Sequence, residues 1–447
     1  MKLDVQVRCK TVASLFRERD EYLLAYQSET PQTDFVSLAM PVRERPWVWP
    51  RDLHPFFRQN LPEGYLLSII REEFSRYLDG TDLSLLAIIG GTGIGRVTAT
   101  PQDATPGAEL KPFEVESILT AETSAEQFAA LVREYAQAAI SGAVPKFIAP
   151  ETTGQESPEH EGLGKSTLRT SRYIVKGSDD NTPYLGFNEY FSMRVLERLN
   201  VARVARTRMS ADGRVLVVDR FDVDDNGVPI YGLEDACSLL GLPPTEKYAP
   251  SMEAVLSATR AYIPAALVRA QLEQLGWLII TNYVVRNADC HSKNIALYYT
   301  QLSDVSYTPA YDVVTTQAYP RFANNAPGLS IGGRKTWAPG KSLETFFKAR
   351  LGISPSDYAT MVERVCESAV EVGREMIQAA NNEHRWRDIS KQMLYAWDEG
   401  MASLRSVRMD PKYRGLRADI KAAGFSDPAA PEKPAVIGRS QLMGKSK

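Results

Sequence analysis

The feature that most constrains this chain is a group of polar residues set between two apolar runs. The first run, Trp-Leu-Ile-Ile, occupies positions 277–280, and a second apolar run begins at position 295. Flanking segments of this kind are expected to be buried and to hold the polar side chains in place, as binding and catalytic sites require. The polar group consists of Asn287, Asp289, His291, Lys293 and Asn294.

The spacing within this group indicates a chemistry. Asp289 and Asn294 stand in an Asp-x-x-x-x-Asn relation, in which the Asp of a phosphoryl-transfer loop accepts a hydroxyl proton and the Asn holds Mg²⁺. Asp312 follows a strand-like stretch at 295–299, where a second metal carboxylate is needed, and Mg²⁺ prefers such oxygen ligands. The alternative is a capped turn between a helix and a strand, because Asn and Asp favour turns. Spacing alone leaves both interpretations open.

Longer motifs favour the first interpretation. Positions 287–294 read NADCHSKN and positions 309–313 read PAYDV. They resemble the NxDxHxKN and PxYD motifs of the HipA family, which are bacterial serine/threonine kinases that act as toxins of toxin–antitoxin pairs. Further matches span about residues 50 to 335 in chain order, which argues against coincidence. They are Leu61–Gly64, Ile140–Lys146, Val218–Asp222, Glu234-Asp235 with Lys247-Tyr248, and Leu329–Gly333.

The resemblance implies an α+β, two-lobed protein-kinase-like fold with a mainly α C-lobe, preceded by a small N-terminal α+β domain. We expect the N-terminal domain at 1–108, a kinase N-lobe with the glycine-rich loop and lysine strand at 109–223, and the helical C-lobe at 224–425. A flexible tail is expected at 426–447, where three prolines occur among few apolar residues.

The resemblance also implies roles for individual residues. Asp289 would be the base, with His291 ordering its loop and Lys293 beside it, while Asn294 and Asp312 would bind Mg²⁺. The remaining positions would bind ATP: Lys176 and the glycine-rich loop hold phosphates, and Asp219 and Phe221 form the adenine hinge. The full nucleotide set is Ser141, Gly142, Ala143, Val144, Lys146, Lys176, Asp219, Phe221 and Tyr311.

Partners and regulation follow from the same resemblance. It implies a small HipB-like DNA-binding antitoxin, an aminoacyl-tRNA synthetase as the class of protein substrate, and autophosphorylation of Ser141 in the glycine-rich loop. The loop departs from the family pattern, since Ala139 replaces its first serine and Val144 its glutamine. A formal net charge of −3 gives no general attraction to nucleic acid, so DNA contact is expected only through the antitoxin.

Composition frames these expectations. A chain of 447 residues exceeds one ordinary core, so two or three packed units are expected. Its four cysteines are scattered without a CxxC pair, which favours a reducing compartment over a disulfide framework. The start lacks a signal-peptide core, and no apolar run approaches the roughly 20 residues that span a bilayer. We expect a cytoplasmic protein with no membrane segment.

Periodicity predicts the secondary structure around the site. We expect strands at 5–7, 23–26, 172–176, 215–218 and 295–299, and helices at 64–78, 188–199, 252–261, 264–285, 358–372 and 389–404. The glycines at 90, 91, 93 and 95 predict a tight hairpin rather than a phosphate loop, because GxGxxG is absent. Residues 101–112 read as a linker and 151–171 as an exposed excursion. Glu189 is either the partner of Lys176 or a first-turn helix carboxylate.

Two other functions remain open at this stage. A small-molecule phosphotransferase would use the same Asp and Asn, and it differs in whether a metabolite or a protein receives phosphate. A catalytically idle co-repressor module is disfavoured because the catalytic-type residues are present, and failure to bind Mg-ATP would favour it.

Overall fold

The structure is a computed structural model that describes residues 1–61, 67, 70–71, 78–102, 114–124, 126–131, 133, 166–179, 181–405 and 415–425. The glycine-rich loop at 140–146, with its candidate phosphosite Ser141, lies outside these ranges, as do the predicted tail at 426–447 and most of the linker and the 64–78 helix. In the part of the chain that is described, no helix is long and apolar enough to cross a membrane.

An antiparallel five-stranded sheet forms the N-terminal domain. Its strands are β1 (Lys2–Val7), β2 (Lys10–Glu18), β3 (Glu21–Tyr26), β4 (Trp47–Pro50) and β5 (Val97–Pro101), in the order β4-β3-β2-β1-β5. Alternate residues of β1 are buried, which places one face on a core with helices α1 (Pro55–Arg58) and α2 (Asp82–Ile89). The strands predicted at 5–7 and 23–26 are confirmed.

The hairpin predicted at glycines 90–95 is wrong. The preceding element is helix α2, which passes through a 3-10 turn at Gly90–Thr92 into β5. Strand β5 pairs with β1, the first strand of the chain, so the pairing is distant in sequence and local glycines do not reveal it. Gly90 is required by packing, because a Cβ there would lie 2.2 Å from the Ala99 carbonyl oxygen.

A four-stranded antiparallel sheet forms the N-lobe, in the order β6-β7-β9-β8. Its strands are β6 (Ser166–Arg169), β7 (Tyr173–Gly177), β8 (Thr207–Met209) and β9 (Val215–Asp219), and helices α3 (Val115–Thr120) and α4 (Leu185–Leu199) accompany it. The strand predicted at 172–176 and that at 215–218 are confirmed. The excursion predicted at 151–171 is wrong over its last residues, because β6 pairs with β7 and buries Leu168.

Helices build most of the C-lobe, as the fold class predicts. They are α5 (Ala236–Leu239), α6 (Met252–Arg260), α7 (Val268–Val284), α8 (Lys341–Phe346), α9 (Pro355–Asn382), α10 (Arg387–Leu404) and α11 (Arg417–Ala422). A small antiparallel sheet of β10 (Gly232–Asp235), β11 (Ala296–Tyr299) and β12 (Ser306–Tyr307) lies beside them. Every helix predicted here from periodicity is present, and α9 extends ten residues beyond the predicted end at 372.

Helix α4 belongs to the core of the C-lobe although the chain places it among the N-lobe strands. Its apolar face packs in the same hydrophobic cluster as α7, α9 and α10. Arg194 and Arg198 form ion pairs with Glu375 of α9, and Ser368 Oγ donates a 2.7 Å hydrogen bond to the Val195 carbonyl. The helix is thereby fastened to α9 along its length.

The N-terminal domain docks on the small sheet of the C-lobe through buried polar contacts. The carboxylate of Glu234, on β10, is fully buried. It accepts hydrogen bonds from Ser37 Oγ at 2.7 Å, the Leu38 amide at 2.5 Å and Tyr299 Oη at 2.6 Å. Nearby, the buried guanidinium of Arg96 donates to the carbonyls of Phe35 and Thr300. Domain docking therefore depends on groups whose loss would leave unsatisfied buried partners.

We expect this docking to weaken as pH rises through neutrality. Burial raises the pKa of Glu234 from 4.5 to about 7 and outweighs the three donated hydrogen bonds, which favour the ionised form. A pKa that is higher in the folded state adds stability that is complete below about pH 4.5 and is lost as pH passes about 7. The free energy of unfolding should fall by at most about 3 kcal/mol across that window.

Denaturant unfolding of wild type and Glu234→Gln between pH 5 and 8 provides the measurement. The amide of the variant does not titrate, so its stability should lose this component of pH dependence. Parallel pH profiles for the two proteins would contradict the assignment.

Candidate active site

Helix α7 delivers the polar segment that the sequence singled out. The apolar run 277–280 lies within it, with Trp277, Ile279 and Ile280 buried. After Val284 the chain turns sharply at Arg286, whose φ of 57° lies in the left-handed region. The Ala288 amide then donates to Thr316 Oγ1 at 2.8 Å. The start of the polar segment is therefore anchored within the C-lobe core.

Asn287 connects the two parts of the candidate site. Its Oδ1 accepts the Asp289 amide at 3.0 Å, and its Nδ2 donates to the Asp312 carbonyl at 3.4 Å and to Asn282 Oδ1 at 2.8 Å. Asn294 Nδ2 donates to the Asp289 carbonyl at 2.8 Å. These bonds bring Asp289, Asn294 and Asp312 into one polar cluster, although 23 positions separate the two aspartates in sequence.

Lys176 carries the positive charge that faces this cluster from the N-lobe. Its Nζ lies 2.6 Å from Glu189 Oε1 and 2.7 Å from Asp312 Oδ1. Glu189 is fully buried and is the fifth residue of α4. Glu189 is therefore the partner of Lys176, and the alternative of a first-turn carboxylate is wrong. The helix begins at Leu185, three residues before the predicted start, because Tyr184 in the left-handed region marks its N-terminus.

Asp312 has an unusual backbone. Its φ is 59°, in the left-handed region, which Asp and Asn tolerate better than other non-glycine residues. Thr315, three residues after Asp312, is held by Asn188 of α4 through two hydrogen bonds. Asn188 Oδ1 accepts a bond from the Thr315 amide at 2.8 Å, and Asn188 Nδ2 donates to the Thr315 carbonyl at 2.9 Å. Trp397 Nε1 adds a 2.7 Å bond to Thr315 Oγ1. These contacts fix where the Asp312 carboxylate meets Lys176.

His291 and Lys293 each contribute main-chain hydrogen bonds to the loop. The His291 amide donates to the Asp289 carbonyl, and the Asn294 amide donates to the His291 carbonyl, both at 2.9 Å. The imidazole is buried, its Nε2 lies 3.9 Å from Asp289 Oδ1, and its Nδ1 makes no hydrogen bond. The predicted ordering of the loop by hydrogen bonds therefore comes from the main chain of His291. The Lys293 carbonyl accepts a 2.8 Å bond from Tyr311 Oη.

Burial also decides which side chains are charged or nucleophilic here. It lowers the pKa of His291 to about 4 and raises that of Cys290 to about 12. At neutral pH the imidazole is therefore uncharged and the thiol is protonated. The protonated thiol is not a nucleophile, because a thiol is nucleophilic only as the thiolate. Neither an imidazolium cation nor a thiolate nucleophile is therefore expected beside Asp289 at neutral pH.

Aromatic rings from the two lobes meet beside the polar cluster. The ring of Phe221, just after β9, lies 5.9 Å from that of Tyr311 and 6.3 Å from that of Tyr298. The carboxylate of Asp219, at the end of β9, pairs with Arg208 at 3.1 Å. Phe221 and Tyr311, both assigned to nucleotide binding from the resemblance, thus lie together beside the sequence neighbour of Tyr311, Asp312.

Sequence reasoning did not place three of the residues that shape the site. Asn188 and Thr315 are 127 positions apart and carry no local signal of their pairing. Tyr248, whose hydroxyl donates to Asp289 Oδ1, occurs in a segment that matched the family pattern, and that match was its only signal. Each acts through a contact between distant segments, which periodicity and spacing do not reveal.

The architecture and the polar cluster define the class of protein: a two-lobed, kinase-like fold with a lysine strand, a paired helix glutamate and an Asp/Asn/Asp cluster. The family is given by sequence models, since the HipA N-terminal domain model matches residues 3–100 and the HipA-like C-terminal domain model matches residues 138–372. The chain belongs to the HipA family.

Similar proteins agree with this placement. Y4mE of Sinorhizobium fredii, which is named as a kinase, is 28% identical over 320 residues, covering 68% of this chain and 73% of its own. A kinase-named protein of Haemophilus influenzae is 24% identical over 176 residues, covering 36% and 50%. The solved HipA of Shewanella oneidensis MR-1, from a complex with HipB and operator DNA, has a TM-score of 0.64 at 19% identity, covering 90% of this chain and 96% of that one. That structural likeness supports the fold.

The residues present fit a magnesium nucleotide. Asp312 and Asn294 offer carboxylate and amide oxygens, the hard ligands that Mg²⁺ prefers, and the Lys176 ammonium is held beside them. A magnesium ion near Asp312 would compete with Lys176 for the same carboxylate, which would free the ammonium to bind phosphate. The donor set therefore suits a triphosphate with its metal better than a bare metal site.

Proposed function

We propose that this protein is a kinase that transfers the γ-phosphate of ATP to a serine or threonine hydroxyl of a protein. The observation that carries the proposal is the contact of Lys176 Nζ with both Glu189 and Asp312. It joins the N-lobe lysine, helix α4 and the Asp312 segment at the place where Asn287 brings in Asp289. A kinase needs these groups together.

Each residue then has a task. Lys176 holds phosphate oxygens, and Glu189 keeps its ammonium in place. Asp289 orients the acceptor hydroxyl and takes its proton as the oxygen attacks phosphorus, while Asn294 and Asp312 hold the metal. A magnesium ion held there would supply the positive charge that phosphoryl transfer requires. Phe221 and Tyr311 would contact the adenine, the Asp219–Phe221 backbone would act as the hinge, and the family resemblance assigns phosphate binding to residues 141–146, which lie outside the described part of the chain.

The family and its solved member support a biological context for this activity. We propose that the chain is the toxin of a toxin–antitoxin pair in the cytoplasm, with a HipB-like antitoxin, and that it reaches DNA through that antitoxin because its net charge is −3. The proposed substrate class is a translation component such as an aminoacyl-tRNA synthetase. Autophosphorylation of Ser141 is the proposed regulatory step, since a phosphate of about −1.5 to −2 charge would repel ATP phosphates.

One labelling experiment tests the proposed activity. The purified chain is incubated with γ-labelled Mg-ATP and an extract that contains both proteins and metabolites. Label in phosphoserine or phosphothreonine of a protein supports the proposal, and peptide mapping of the chain itself examines Ser141. Label confined to a small metabolite would favour a small-molecule phosphotransferase. No binding of Mg-ATP would favour a co-repressor module.

Mg-ATP is expected to stabilise the native protein. A ligand that binds only the folded state adds about 2.7 kcal/mol at a hundred times its Kd, so the melting temperature should rise clearly in differential scanning fluorimetry. The rise should shrink in Asn294→Ala, which loses a proposed metal ligand. Asn226→Ala, at an exposed turn, is the matched control and should respond like wild type. An equal rise in Asn294→Ala would contradict the ligand assignment.

A further inference from the structure

The hydroxyl of Tyr248 occupies a chemically informative place in the candidate site. It donates a hydrogen bond to Asp289 Oδ1, and the edge of its ring packs on His291 with ring centroids 5.0 Å apart. The protein's own O–H group is therefore bonded to the carboxylate that is proposed to receive a substrate O–H group.

The main chain holds Tyr248 in this position from two sides. The amide and Oγ of Ser292 donate to the Lys247 carbonyl at 3.1 and 2.8 Å. Lys335 Nζ donates to the Tyr248 carbonyl at 2.9 Å. The segment 247–248 is thus attached both to the catalytic loop and to the segment beyond Ile331. Hydrogen bonds from Ser292 and Lys335 to the backbone of residues 247–248 therefore hold the Tyr248 phenol beside Asp289.

A phenol and a serine or threonine hydroxyl compete for the same hydrogen bond. Each is a single O–H donor to a carboxylate oxygen. Tyr248 is half-buried, so its side chain has room to leave when another hydroxyl arrives. Water is also an O–H donor, and a kinase that admits water to its base hydrolyses ATP without phosphorylating a substrate.

We propose that the Tyr248 hydroxyl occupies the acceptor position while no substrate is bound, and that the substrate hydroxyl displaces it. The inference rests on the proposed kinase function and assigns Tyr248 as a positioning residue that keeps water from Asp289. In the reaction it suppresses, the water oxygen bonds to the γ-phosphorus, the bond to the ADP oxygen breaks and Asp289 takes the water proton. ADP and inorganic phosphate are the products.

The test compares basal ATP hydrolysis with transfer. Phosphate release from Mg-ATP is measured for the purified full chain without acceptor, and transfer is measured with a serine/threonine peptide library. Tyr248→Phe removes only the hydroxyl and should raise basal hydrolysis about tenfold to a hundredfold, since a hydrogen bond to a charged group is worth roughly that factor. The KM for ATP and the melting temperature should stay unchanged.

Tyr262→Phe is the matched control, because Tyr262 is half-buried elsewhere in the C-lobe, and it should leave both rates unchanged. Lys335→Met provides a second variant that loosens the support of Tyr248 without altering the phenol, and a smaller rise in hydrolysis is expected. Phosphate found on Tyr248 of the wild type after incubation with Mg-ATP would also place its oxygen at the acceptor position.

Other outcomes overturn the inference. If Tyr248→Phe and Lys335→Met both transfer phosphate with wild-type basal hydrolysis, Tyr248 does not exclude water. If hydrolysis and transfer fall together in Tyr248→Phe, the phenol assists the base instead of occupying the acceptor position. If the wild type neither binds Mg-ATP nor transfers phosphate, the proposed function itself fails, and that result is distinct from the first two.

Discussion

Replacing Asp289 with asparagine is expected to abolish measurable phosphoryl transfer while the fold remains intact. A positioned general base contributes roughly 10²- to 10⁴-fold to a rate, and the amide can still accept the Tyr248 hydrogen bond but takes no proton. Asp312→Asn should be equally inactive because it removes the charged metal ligand. Steady-state labelling of protein from γ-labelled Mg-ATP measures both losses.

The backbone at Asp312 decides which substitution is informative. Its φ of 59° suits asparagine but strains alanine, so Asp312→Asn separates loss of charge from loss of structure. Asp225→Asn, on an exposed turn, controls for the charge change alone and should keep full activity. Near wild-type transfer by Asp289→Asn or Asp312→Asn, with melting temperatures unchanged, would show that the site is assigned wrongly.

Replacing Lys176 with methionine is expected to remove transfer and to destabilise the protein as well. Only 1% of the Glu189 side chain is exposed, so the loss of the ammonium would leave a buried carboxylate without its cation. Breaking a buried ion pair in this way costs about 3–5 kcal/mol. Denaturant unfolding measures the stability, and the labelling assay measures the activity.

A double-mutant cycle separates the two effects. Lys176→Met with Glu189→Gln removes both charges and should recover much of the stability without restoring transfer. Lys10→Met breaks an exposed pair with Asp34, 3.5 Å apart, and should cost at most about 1 kcal/mol. Equal stability losses in Lys176→Met and Lys10→Met would contradict a structural role for the buried pair. Restored transfer in the double variant would contradict the proposed role of Lys176 in phosphate binding.

Local pattern was sufficient for much of the fold. Strands β7 and β9 follow from short apolar runs, most of whose residues are buried, and helices such as α6 and α10 follow from helical periodicity, because their buried residues recur at helical spacing. The pairing of Lys176 with Glu189 was one of two interpretations that the sequence left open, because kinases share this order of lysine strand and helix but a first-turn carboxylate suits a helix start equally well. Within the candidate site, the residues carried by short motifs could be predicted.

The rest depends on contacts between distant segments. The glycines at 90–95 do not form a hairpin because β5, the strand that follows them, pairs with β1 at the start of the chain. The Glu234 contacts with Ser37 and Leu38 cross 196 or more positions, and no local signal marks a carboxylate that will be buried between domains. The predicted start of α4 is three residues late because Tyr184 adopts a left-handed conformation, and a tyrosine in the sequence does not indicate that conformation.

The attachment of helix α4 to α9 has a consequence for control of the enzyme. In many protein kinases, activity is set by moving the helix that bears the glutamate, which makes or breaks its pair with the lysine. Here that helix shares a hydrophobic cluster and ion pairs with α9, so withdrawing Glu189 would require opening the interior of the C-lobe. The helix is therefore held in place, and we expect control of the proposed kinase activity to act on a part of the protein other than the helix that pairs with the lysine.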